Sequence, residues 1–127
     1  MPALDRLRGV RVVAEPGAVD RATWHDHDVT ILRFAPDDAF GLSARTVDID
    51  DERAIVEDET GFVGAWLDPD VVQPHIEWPL PAERPALAQG SIAGVPAKLW
   101  LPADGDALLL TAAAYAHDLE TRLGWRS

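Results

Sequence analysis

Along this chain an apolar run, a short acidic or glycine-bearing turn and a second apolar run occur three times. The copies span residues 31–44, 54–67 and 98–112. Such a plan reads as strand, reversal, strand. In the first copy, Pro36-Asp37-Asp38 makes the reversal, with proline presetting φ and aspartate able to bond its own backbone. In the third, Asp104-Gly105 is a hairpin signal. In the looser copy, Asp58-Glu59-Thr60-Gly61 is the expected turn, with Gly61 supplying a positive φ.

The remaining elements follow from the same pattern. A strand is predicted over 10–15, ended by Pro16-Gly17, and residues 17–24 leave room for one helical turn. Strands are predicted over 28–34 and 40–47, with a charged loop over 48–53. Five prolines between 68 and 86 forbid a long helix or a central strand there. Ile76, Trp78 and Leu80 nevertheless alternate with Glu77 and Pro79, so this stretch reads as a strap or edge strand with one buried face. Strands over 91–93, 97–101 and 107–112 follow. A C-terminal helix over 113–124 carries the stripe Ala112, Ala116, Leu119 and Leu123, with Gly124 as its stop. The predicted fold is α+β: a mostly antiparallel β-sheet built from hairpins, with the C-terminal helix packed on one face.

The middle strands are apolar on both faces. Leu109 opposes Leu108 and Leu110, Leu99 and Leu101 oppose Trp100, and Phe62 and Trp66 oppose Val63 and Leu67. A sheet with one wet face alternates apolar and polar residues instead. Both faces therefore need cover, and one helix supplies only one layer. The second cover is a further layer of this chain, the strap, or another protein molecule.

Composition narrows the function classes. A chain of 127 residues points to one domain. It has no cysteine, which removes thiol catalysis, thiolate metal sites and disulfides. A formal net charge of −11 disfavours nucleic acid and anionic membrane surfaces as partners. No stretch reaches the roughly 20 apolar residues of a membrane span, and residues 1–11 hold no signal-peptide core, so a cytoplasmic location is expected. One lysine, Lys98, stands against ten arginines, a bias that fits a GC-rich bacterial genome.

Candidate chemistry is sparse. Trp24-His25-Asp26-His27-Asp28 is the densest group of potential ligands. In an extended segment His25 and His27 point to one side and can share a metal, which still needs a third ligand; an ordinary polar turn is the alternative. The acidic residues 48–59 do not match a calcium-loop spacing, and paired carboxylates such as Glu57 and Glu59 read as a solvated face. Neither GxxxxGK[ST], GxGxxG nor GxSxG is present, so no cofactor and no catalytic residue is expected. Trp66, Trp78 and Trp100 are candidates to line a ligand pocket between strap and sheet.

Residues 32–42 (Leu-Arg-Phe-Ala-Pro-Asp-Asp-Ala-Phe-Gly-Leu), 94–101 (Gly-Val-Pro-Ala-Lys-Leu-Trp-Leu) and 113–119 (Ala-Ala-Tyr-Ala-His-Asp-Leu) resemble, in this order, the gamma subunit of heterotetrameric sarcosine oxidases. That family is related to the folate-binding aminomethyltransferase fold. The likeness spans about two-thirds of the chain, mostly at apolar core positions. It departs before the last helix, where 111–116 reads Thr-Ala-Ala-Ala-Tyr-Ala. What the resemblance implies is an accessory, non-catalytic subunit whose flavin chemistry resides elsewhere. The expected function is therefore association, as a homo-oligomer or with a larger protein partner; the alternative is a small-molecule binder or enzyme using the tryptophan pocket.

Overall fold

The computed structural model describes residues 3–125. Contacts gather into two compact units. One is built from residues 3–6 and 61–125, the other from Leu7–Thr60.

In the first unit a five-stranded antiparallel sheet has the order β1 (Asp5–Arg6), β8 (Phe62–Leu67), β11 (Ala107–Ala112), β10 (Val95–Leu101), β9 (Ala86–Ile92). The β9–β10 connection is a two-residue turn, Ala93-Gly94, both at positive φ (51° and 82°). That geometry matches the twist of a tight hairpin. The β10–β11 reversal uses Gly105 at φ 90°, at the Asp104-Gly105 turn read from the sequence. Strand β9 is longer than the predicted 91–93, because Ala-Leu-Ala-Gln-Gly carries little β-propensity of its own and pairs only because β10 lies beside it.

After β11 the chain makes a 3₁₀ turn, Ala113–Tyr115, and then helix α3, Ala116–Arg122. The predicted helix is thus shorter than the pattern. Leu119, Leu123 and the following Trp125 pack with Leu99, Leu101 and Leu109 of the sheet. Gly124 ends the helix at φ 79°; its N–H donates to the Thr121 carbonyl at 3.1 Å and that of Trp125 to the Glu120 carbonyl at 2.8 Å. Those two bonds satisfy carbonyls that a helix end otherwise leaves open.

The proline-rich stretch is a strap and not an edge strand. It holds helix α2 (Pro69–Val72), capped by the Asp68 carboxylate accepting from the Asp70 N–H at 2.9 Å, then a 3₁₀ turn at Gln73–His75. Ile76, Trp78 and Leu80 pack onto the same core as α3, as their alternation requires.

In the second unit a four-stranded antiparallel sheet has the order β4 (Thr30–Ala35), β5 (Asp38–Leu42), β2 (Gly9–Val13), β7 (Ile55–Glu59). Helix α1 (Pro16–Asp20) sets Ala18 and Val19 against Val10, Val12 and Ala39. A two-stranded ribbon, β3 (Thr23–Trp24) with β6 (Val47–Asp48), brings Trp24 onto the same cluster. On the opposite face, Phe34 stacks on Phe40 with ring centres 6.2 Å apart. There Arg11 binds Asp38 through two contacts of 2.7 and 3.0 Å and reaches Glu59 at 3.4 Å. The Asp38 carboxylate raises the Arg11 pKa further, against the opposing effect of burial.

Two of the three repeated patterns are hairpins: β4–β5 and β10–β11 pair directly. The third is not. Strand β7 pairs with β2 and β8 with β11 and β1, so the two strands at 54–67 enter different sheets. Gly61 is not among the residues at positive φ, and its carbonyl instead accepts from the Ala113 N–H at 2.7 Å.

Both faces of the first sheet are apolar at its centre. Leu109 lies on the α3 side, and Leu108 and Leu110 on the other; all three are fully buried.

Candidate functional site

His25 and His27 do not sit in an extended segment. Residues 26–28 form a turn, with Asp28 at φ 62°, which removes the same-side geometry expected of a strand. The exposed His25 ring meets the Asp48 carboxylate at 2.7 Å. Asp26 accepts the backbone N–H groups of Arg45 (2.7 Å) and Thr46 (3.2 Å), which hold its pKa below the ordinary carboxylate value. The segment therefore ties a turn to a neighbouring loop. Among the described residues no group of three or more His, Asp or Glu side chains gathers where a metal ion could be held.

The three candidate tryptophans do not converge. The Trp78 ring lies over Gly90 of β9, on the α3 side, and its Nε1–H donates to the Ser91 carbonyl at 2.9 Å. A Cβ at Gly90 would stand 2.9 Å from that nitrogen, so the absent side chain makes room for the indole. Trp66 and Trp100 are both register partners of Leu108 and share the opposite face. A pocket between strap and sheet lined by all three is excluded, because strand alternation sends Trp78's platform and the other two rings to opposite sides.

The opposite face holds a different concavity. A cavity of about 520 Å³ lies over β10 and β11. Its apolar wall includes Leu110, Phe62 and Ala112, and its rim carries Lys98, Gln89 and the Tyr115 ring. Register explains the grouping: Lys98 pairs with Leu110 on one side and Gln89 on the other, and Ala112 pairs with Phe62. The small Ala112 leaves the floor open between larger neighbours. Tyr115 arrives from the 3₁₀ turn that follows β11. Sequence reasoning passed over this site, although a lone lysine inside Ala-Lys-Leu-Trp-Leu was its signal.

The second unit offers a strand edge. Among the described residues strand β7 stands at the end of its sheet, with β2 as its ladder neighbour. Ile55 and Val56 are 55% and 46% exposed on its two faces. Glu57 and Asp58 beside them are exposed as well. An apolar strand edge of this kind is a template for strand addition, and acidic side chains restrict which chain can add.

Comparison with protein families, with curated proteins and with solved structures returned no match to this chain. No helix among the described residues is long and apolar enough to cross a membrane.

Proposed function

We propose that this protein acts by association, as a non-catalytic docking module whose edge strand β7 receives an extended segment of another protein. The observation that carries this reading is a strand at the end of its sheet, among the described residues, with two β-branched side chains exposed on opposite faces. Strand addition uses the free backbone groups for affinity and alternate side chains for specificity. Antiparallel self-addition centred on Glu57 would set that carboxylate against its own copy and Val56 against Asp58. Like charges directly opposite are destabilising, so the fitting occupant is a different chain with Lys or Arg at alternate positions. The gamma-subunit resemblance, an accessory role beside a larger enzyme, is of the same class.

The test uses the full chain and a short peptide alternating valine and lysine. Hydrogen exchange should show new protection at the β7 amides, and Ile55→Glu with Val56→Glu should abolish it without altering the fold. Peptide binding that leaves β7 unprotected, or an oligomer by light scattering that survives the double substitution, contradicts the proposal.

A further inference from the structure

A cavity of about 460 Å³ lies wholly within the unit Leu7–Thr60. Arg8, Ser43, Arg45 and Asp58 line it beside the buried Gly9 and Ala44. Register explains the grouping. Asp58 of β7 pairs with Val10 of β2, and Arg8 lies two residues before Val10, so strand alternation sends both side chains to one face. They are diagonal neighbours across the ladder, about 7–8 Å apart. The Ser43 N–H donates to the Arg8 carbonyl at 2.8 Å and holds Ser43, at φ 72°, beside Arg8. The Asp26 carboxylate accepts the N–H groups of Arg45 and Thr46 and fixes the next residues of the same loop. Arg8 and Asp58 carry opposite charges, yet among the described residues neither forms an ion pair with the other or with a third side chain.

We propose that this cavity binds a small zwitterion of the α-amino acid class. The carboxylate lies against the Arg8 guanidinium, whose planar fork matches two oxygens. The ammonium lies against the Asp58 carboxylate. Arg45 adds a second guanidinium, its charge shared with the nearby Asp26. A ligand that is only an anion fits less well: the chain carries a net charge of −11, which repels it at a distance, and Asp58 repels it within the site. A ligand that is only a cation meets the two arginines. A ligand with both charges and no net charge answers Arg8 and Asp58 together and approaches without repulsion.

The experiment titrates the ¹⁵N-labelled full chain with L-alanine, L-alanine methyl ester and L-lactate at about pH 6.5, where both amines are charged. Saturable amide shifts should map to Arg8, Gly9, residues 43–45 and Asp58. The ester, which lacks the anion, and lactate, which lacks the cation, should each bind about fivefold more weakly than alanine, the upper end for a solvent-facing charge pair. Arg8→Gln should lower alanine to the affinity of its ester and leave the ester unchanged. Asp58→Asn should lower alanine toward the affinity of lactate and leave lactate no weaker. If either variant does not fold, the three ligands on the unsubstituted chain decide. Alanine binding no tighter than lactate or the ester overturns the proposal. So do shifts confined to other residues, or no saturable shift at tens of millimolar alanine.

Discussion

At the scale of single residues, space and charge are set by a few contacts. Gly41 of β5 lies under the Trp24 ring: a Cβ there would stand 2.3 Å from the indole Cζ3. The ring is held by the β3–β6 ribbon and cannot withdraw freely. Gly41→Ala should therefore cost about 1–3 kcal/mol by overpacking. Urea unfolding measures that loss. Combined with Trp24→Leu, the substitution should cost less than the sum of the two single changes, because the clashing atoms are gone. Additive costs would contradict this account of the contact. Gly41 was legible in the sequence only as part of a strand, since nothing in its neighbours names Trp24 as the group above it. The tryptophan pocket failed for the same reason. Alternation placed Trp66 and Trp100 on definite faces of their strands, but which face the strap would cross was a matter of packing.

At the scale of elements, local signals were read well where the element stabilises itself. The turns at 36–38 and 104–105 and the stop at Gly124 are examples. Gly124 occupies the left-handed region and completes both terminal hydrogen bonds of α3. Gly124→Ala should destabilise by about 1 kcal/mol, the cost of placing a Cβ in that region. Gly124→Asn should recover part of it, since asparagine tolerates the conformation. Thermal or denaturant melts of the three proteins give the ranking, and an alanine variant equal to the parent would contradict it. Where pairing is non-local, the reading failed. Residues 54–67 carry a hairpin pattern, yet β7 and β8 each find better partners elsewhere. Apolar runs flanking a turn predict two strands; they do not predict that the strands pair with each other. Strand β9 is the converse case, a weak local pattern made into a strand by its neighbour.

At the scale of the whole molecule, charge decides how stability responds to pH. The chain has an isoelectric point near 4.5, so acidification from neutral pH first removes self-repulsion. Asp26 and Asp51 each accept two backbone N–H bonds as carboxylates, which lowers both pKa values below 3.8. A lowered folded-state pKa contributes stability that is complete above the unfolded value and is lost as pH falls through the folded value. Tm should therefore hold or rise from about pH 7 to about pH 5, then fall below about pH 4. An Asp26→Ala, Asp51→Ala variant should lie below the parent at neutral pH and converge with it as pH falls through the lowered folded-state values; a gap that persists in acid contradicts the assignment. By itself the sequence determined what depends on neighbours along the chain: the α+β class, the reversals at 36–38 and 104–105, the helix stop and the strap's inward face, because local backbone preference and apolar period act over a few residues. Only the tertiary structure decided which strands share a sheet, that the tryptophans part company, and that Lys98 meets Tyr115 at one cavity, because those outcomes are set by pairings between residues far apart in the chain.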